Sequence, residues 1–436
     1  MEWWLTLLII ICGLVFLMLL RIPIAFCFLL VDLVGAFVLW GGTGPEQLVL
    51  SMAESLNRFA FLPIPLFFIM GTVLFQSGLA PKMIDAADKW LGRLPGRLSL
   101  LTVAAGTLIG ALSGMSVAAT MILGTALLPE MEKRGYKKAM SIGPIVGGGG
   151  LDIMIPPSSL AVLLAALAEI SVGKMLIATI LPGILMAVLY GLYIVVRCRL
   201  QPSLAPSYEV QRLSFKEKAI PTVYYILPTS VIIFLVVGLI FLGVATPDEA
   251  AASGALGTIL FVACYGALNR KVLKSSLTEA FHSSVMILTI LVGASAFSQL
   301  LAFTGATSGL VKLALGLSLG PIQMIIVLQI VVLILGCFLE PGSLLMIAIP
   351  LFMPIVRSLG INDIWFGVLT LLGVESGMLT PPVGLNLYVM RGVAPPGTTM
   401  NDIIWASLPF LVLNIIATAL LIVFPAIVNW LPGLMK

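Results

Sequence analysis

The chain has 436 residues, of which 60% are hydrophobic and 10% charged, with a formal net charge of +4 and a mean hydropathy of +1.17. A soluble domain carries about 25% charged residues, so this is a polytopic helical membrane protein, read as one bundle of the lipid bilayer. Its basic residues sit in short loops and not on a polar face, which argues against a nucleic-acid partner.

Apolar runs of roughly 20 residues are long enough to cross. The first predicted span covers about residues 3–20. Glu2 precedes it, no Lys or Arg does, and no small-residue cleavage site follows, so a retained span is expected in place of a signal peptide. The second covers 23–40 and holds Asp32, read as a structural hydrogen-bonding residue. The stretch Gly41–Arg58, with Glu46 and Glu54, is too polar to cross and is assigned to the surface. A third span follows at 60–78. Basic clusters at Lys82–Arg97 and Lys133–Lys138 then bracket the apolar stretch Leu98–Leu128. Both of its ends therefore read as cytoplasmic, which predicts a re-entrant hairpin over about 98–129 with its tip at Ser113-Gly114-Met115-Ser116. A broken span at 139–167 and a span at 175–196 complete the first half.

The basic stretch Arg197–Lys218 supplies the boundary, a cytoplasmic linker over 201–220. Spans are predicted at 222–243, 248–268 and 281–302. The second begins at Thr246-Pro247-Asp248-Glu249, with Thr246 as N-cap, Pro at the first position and acids in the first turn. A fourth basic cluster, Arg270–Lys274, precedes the third. A second hairpin over about 320–355 has only Lys312 and Arg357 at its flanks, so it is predicted to open from outside. A broken span at 361–391 and a last span at 404–430 follow. An odd number of spans in each half inverts the second half, with the N-terminus outside, the linker inside and Asp248 outside. The five cysteines show no metal or disulfide spacing and read as packing residues; His282, the single histidine, reads as a helix-end or packing residue.

The two halves, 1–200 and 221–436, repeat one pattern. Ile155-Pro156-Pro157-Ser158 aligns with Thr380-Pro381-Pro382-Val383, and in the same register Pro129, Gly135 and Met175 align with Pro354, Gly360 and Met400. Leu181-Pro182 matches Leu408-Pro409 after a short insertion. A double proline cannot continue a helix, and lipid cannot satisfy the freed backbone groups. Two such breaks in inverted repeats predict a secondary transporter whose site lies at the breaks.

The polar residues of these regions are the candidate ligands. They are Ser113 and Ser116 at the first tip, and Gly147–Gly150, Asp152 and Ser158–Ser159 at the first break. Gly336, Glu340, Gly342 and Ser343 mark the second tip, with Glu375, Ser376, Gly377, Thr380 and Asn386 at the second break. Free carbonyls at helix C-termini suit Na⁺, and free N–H groups at N-termini suit a carboxylate. Small and hydroxyl residues also serve as plain packing in membranes, and Asp152, Glu340 and Glu375 read equally as helix caps or protonated acids. The sequence offers no nucleophile–base pair, zinc motif or phosphate loop, so an enzyme is not expected.

The chain resembles the large membrane subunit of tripartite ATP-independent periplasmic (TRAP) transporters over nearly its whole length. The resemblance is carried by Arg21-Ile22-Pro23-Ile24-Ala25-Phe26, Pro63-Ile64-Pro65-Leu66-Phe67-Phe68, Leu112-Ser113-Gly114 and Lys133-Arg134-Gly135-Tyr136. It continues through Ile155-Pro156-Pro157-Ser158, Leu181-Pro182-Gly183, Thr246-Pro247-Asp248-Glu249-Ala250-Ala251 and Leu379-Thr380-Pro381-Pro382-Val383-Gly384-Leu385-Asn386. It implies an elevator-type, Na⁺-coupled importer of organic acids in the bacterial inner membrane. It also implies two partners, a small four-helix membrane subunit and a soluble periplasmic binding protein. No organic cofactor is implied. One Na⁺ site would then involve Ser113 and Ser116 with Gly149, Gly150 and Pro156; the other would involve Gly336, Gly377, Thr380 and Val383. Substrate would lie near Ser116, Ser158, Glu340, Ser343 and Asn386. The chain departs from the family pattern at Met115, Asp152 and Glu340, where members usually carry a small or Ser residue, Gly and Asp. The rival reading is a stand-alone ion-coupled anion transporter of the same architecture.

Overall fold

A computed structural model describes residues 2–20, 22–57, 61–92, 94–113, 116–206 and 214–435, with the side chains of 41, 56 and 111–113 outside the described set. Every regular element among the described residues is helical. The first half holds α1 (Trp3–Leu19), α2 (Ile24–Leu39), α3 (Gly44–Leu56), α4 (Pro63–Gln76) and α5 (Ala80–Asp88). It continues with α6 (Arg97–Ser113), α7 (Ser116–Lys133), α8 (Lys138–Gly150), α9 (Ser159–Leu167) and α10 (Val172–Leu200). Next come α11 (Phe215–Pro221), α12 (Leu227–Phe241), α13 (Pro247–Cys264), α14 (Arg270–Phe303) and α15 (Ala306–Gly316). The chain ends with α16 (Pro321–Gly336), α17 (Pro341–Ser358), α18 (Asp363–Met378), α19 (Leu385–Val393), α20 (Met400–Val423) and α21 (Ala426–Gly433).

Local chemistry sets many of these starts. Thr246 and Glu249 form a reciprocal capping box in front of Pro247, as the sequence predicts. Asn269 caps α14, its Oδ1 accepting from Val272 N at 2.8 Å. Among the described residues, five stretches are long and apolar enough to cross a membrane: Val172–Leu200, Phe215–Phe241, Arg270–Phe303, Pro341–Ser358 and Met400–Val423. The pair α4–α5, bent by 72°, makes a sixth. The protein is therefore a multi-pass membrane protein. The stretch Phe215–Phe241 is 22% buried, but Pro341–Ser358 is 78% buried. The first lies largely exposed on the outside of the bundle, and the second is packed inside it.

Two packed groups are apparent. On one side α4 packs on α13 and α14, α2 on α14, and α12 on α13. On the other, α6 and α7 pack on α8, α8 packs on α20, and α16 packs on α18. Within that second group α18 is buried from Trp365 to Met378 and α8 from Met140 to Gly150. These two helices form the interior on which both hairpins rest.

Several expectations are corrected. The last predicted span ends early: α20 stops at Val423, Pro425 lacks the N–H needed to continue, and α21 starts at Ala426. The predicted linker is partly helical, because Ser214 and Glu217 cap α11, which runs through a π-helical turn at Thr222–Ile226 into α12. Asp32 is buried, yet neither carboxylate oxygen has a hydrogen-bond partner among the described residues, so the expected structural bond is not formed. The polar stretch after α2 does lie at the surface, as the helix α3, which packs on α2 and α14, buries Ser51 and Ser55 and exposes Val49 and Leu50. Cys12 and Cys264 are exposed and pack in no core. His282 is exposed in the body of α14 with Nδ1 3.1 Å from the Thr278 carbonyl, so it is neither a helix-end nor a packing residue.

Candidate ion and substrate site

The first break follows from its glycines and prolines. Helix α8 ends at Gly150, a 3-10 turn covers Leu151–Ile153, and α9 restarts at Ser159. The glycine run lets neighbours approach where a side chain would block them. A Cβ on Gly149 would fall on the Thr120 hydroxyl of α7, and one on Gly150 would stand 2.7 Å from Glu375 Oε1 of α18. Ser116, at the start of α7, is buried and donates to the Gly149 carbonyl at 3.0 Å. Asn386 of α19 donates through Nδ2 to Ser116 Oγ at 3.1 Å. Ser116, Gly149 and Asn386 thus meet, although Asn386 belongs to the opposite half of the sequence. The Ser158 hydroxyl caps α9, accepting from Ala161 N at 3.3 Å, which leaves its own hydrogen to donate. The predicted tip residues Gly114 and Met115, and the Ser113 side chain, lie outside the described residues.

The second break is built the same way. Helix α18 ends at Met378, and the chain restarts at Leu385 after Gly384, whose φ is +46°. The Pro156–Pro157 and Pro381–Pro382 bonds are both cis. A Cβ on Gly377 would lie 2.6 Å from Gly336 Cα, so hairpin arm α16 and α18 touch backbone to backbone. Gly384 N donates to the Cys337 carbonyl at 3.2 Å, tying the unwound segment to the hairpin tip. Gly336, Gly377 and the Thr380 segment are therefore together. The Thr380 hydroxyl donates to the Ser376 carbonyl at 2.7 Å, which leaves its lone pairs available. Val383 is exposed.

Glu340 has a definite partner. Its carboxylate caps α17, accepting from Ser343 N at 2.9 Å, Gly342 N at 3.2 Å and the Ser343 hydroxyl at 2.8 Å. The α17 N-terminus thus already holds a carboxylate of the chain itself. A buried polar chain that the sequence did not flag joins this region. Tyr190 OH donates toward Asn414 Oδ1 at 2.5 Å and lies 3.3 Å from Glu375 Oε1. A tyrosine and an asparagine inside long apolar runs were the available signal.

The family described as "Tripartite ATP-independent periplasmic transporter, DctM component" matches residues 11–427. The chain belongs to this family, the large permease subunit of TRAP transporters. A "C4-dicarboxylate TRAP transporter large permease protein DctM" of Pseudomonas aeruginosa is 31% identical over 393 residues, 89% of this chain and 90% of that protein. A protein of the same name from Vibrio cholerae is 30% identical and spans 92% of both chains. The "Ectoine TRAP transporter large permease protein TeaC" of Halomonas elongata is 26% identical over 96% of this chain and 97% of its own length. Among solved structures, the YdaH transporter of Alcanivorax borkumensis shares the fold with a TM-score of 0.66 at 18% identity, over 91% of each chain. MtrF of Neisseria gonorrhoeae does so at 0.63 and 17%, over 88% of this chain and 84% of its own. This TRAP permease thus shares its fold with proteins of 17–18% identity.

Proposed function

We propose that this TRAP permease imports organic acids into the bacterial cytoplasm, driven by Na⁺ and supplied by a periplasmic binding protein. The observation that carries the reading is the buried contact of Asn386 with Ser116 and of Ser116 with the Gly149 carbonyl. It joins a hairpin, a broken helix of the first half and a broken helix of the second at one point. Oxygen ligands there suit a hard cation. In this reading the halves 1–200 and 221–436 are inverted repeats, and both hairpins with α8–α9 and α18–α19 move together as an elevator. The first Na⁺ site uses Ser113, Ser116, Gly149, Gly150 and Pro156; the second uses Gly336, Gly377, Thr380 and Val383. The acid lies near Ser116, Ser158, Glu340, Ser343 and Asn386. The C4-dicarboxylate relatives support a carboxylate substrate. A separate four-helix subunit extends the fixed part. In the isethionate relative, named DctMQ, the matched region is 62% of a longer protein, which fits that subunit being joined to the permease there.

The test is uptake of a C4-dicarboxylate into vesicles holding the chain, with the two partners and the salts varied one at a time. Uptake is expected to need inward Na⁺ and all three components. It is expected to rise with an inside-negative potential, which is worth about 2.3 kcal/mol per charge per 100 mV. Equal uptake in K⁺ with a proton gradient would overturn Na⁺ coupling, and full-rate uptake by this chain alone would overturn partner dependence.

A further inference from the structure

The first break carries more negative charge than hydroxyl and carbonyl ligands account for. Asp152, in the turn after the glycine run, is 1% exposed, and Glu375 is fully buried against Gly150. Neither acid has an ion-pair partner among the described residues. Asp152 Oδ1 and Glu375 Oε2 also lack any hydrogen-bond partner among them. Two more buried oxygens at the same turn are equally unpaired: Thr120 Oγ1, which faces Gly149, and Asn386 Oδ1, whose amide nitrogen is held by Ser116. Both of those residues are 0% exposed. Four elements (α7, the 3-10 turn, α18 and α19) thus bring buried residues that carry unsatisfied oxygens to one short stretch of backbone.

A buried carboxylate without a counter-charge is strongly unfavourable, as is a buried polar atom without a partner. One proton shared by the acids would serve two of these oxygens. A hard cation, which takes several oxygen ligands at once, would serve all of them. We infer that Asp152 and Glu375, with Thr120 and Asn386, form a carboxylate-lined Na⁺ site beside the one formed by Ser116 and the Gly149 carbonyl. Two cations then face two carboxylates, and the turn is neutral when both are bound. The inference rests on the proposed Na⁺ site at Ser116, and it adds one Na⁺ per chain to that mechanism.

The test is ²²Na⁺ binding to the purified full chain at equilibrium, for the native protein and for Asp152→Asn, Asp152→Gly and Glu375→Gln. Each variant is expected to bind one Na⁺ fewer per chain than the native protein, or to bind that ion at least about tenfold more weakly. Asp152→Gly is the safeguard against a folding failure, because glycine leaves no unpaired polar group behind. Variants that bind as many Na⁺ as the native protein, at unchanged half-saturation, would overturn this site and leave the Ser116 site standing. A native protein that binds no Na⁺ would overturn both. Stabilisation of the native protein by acid, lost in the variants without any loss of Na⁺, would assign the pair to a shared proton and likewise overturn the site.

Discussion

Ser116→Ala is the sharpest probe of the first break. In the native chain one buried hydroxyl satisfies two groups, giving a hydrogen to the Gly149 carbonyl at 3.0 Å and accepting one from Asn386 Nδ2 at 3.1 Å. Alanine removes both bonds and leaves the asparagine without partners, since its Oδ1 is already unpaired. Orphaning a buried polar group costs about 1–3 kcal/mol, so the loss for the two is roughly 2–6 kcal/mol if neither is rehydrated. A packing role and a Na⁺ role divide that loss differently. Packing alone lowers the unfolding temperature by the same amount with and without Na⁺. A Na⁺ ligand also raises the Na⁺ concentration for half-maximal uptake, by about tenfold for each 1.4 kcal/mol. The assay is thermal unfolding in Na⁺ and in choline, paired with Na⁺ titration of uptake. An unchanged half-saturation together with an equal drop in both salts would refute the ligand argument.

Gly377→Ala is expected to force α16 from α18, because its Cβ would stand 2.6 Å from Gly336 Cα, with no flexible side chain to yield. The cost is about 1–3 kcal/mol, read as a lower unfolding temperature together with lost Na⁺ dependence; native behaviour in both would show that the two backbones separate freely. Glu340→Gln keeps the size of the α17 cap but removes its charge, so an acid substrate should bind more tightly if it competes for the same N–H groups, and equal affinity would exclude that competition.

The sequence displayed the breaks plainly because proline and glycine act on their own backbone, whatever surrounds them. Pro156-Pro157 and Pro381-Pro382 lie in the unwound segments between α8 and α9 and between α18 and α19, and Thr246-Pro247 starts a helix. Side-chain partners across the fold left no such mark. Nothing near Asn386 announces Ser116, and nothing in the run around Tyr190 announces Glu375 and Asn414. Asp32 failed for the same reason, since a lone acid in a span shows its expense but not its neighbour. Glu340 was half legible: an acid before Pro341 with Ser343 beyond is a helix-start pattern, the same one read correctly at Thr246.

The register that aligns Pro156 with Pro381 carries one step further. It puts Gly150 on Glu375 and Asp152 on Gly377. In the fold, Gly150 and Glu375 touch each other, and Asp152 sits against Gly110 of a hairpin arm much as Gly377 sits against Gly336. In the proposed inverted repeats, equivalent positions come together at the axis, where there is room for one side chain and not two. A glycine facing a glutamate meets that limit, and a carboxylate at 150 as well would clash. The second acid is offset by two residues, at the contact that its counterpart fills with glycine. The acids are therefore placed asymmetrically, at 152 in the first half and 375 in the second, and both lie at the first break. A repeat that served packing alone would have no need of charge at its most buried point.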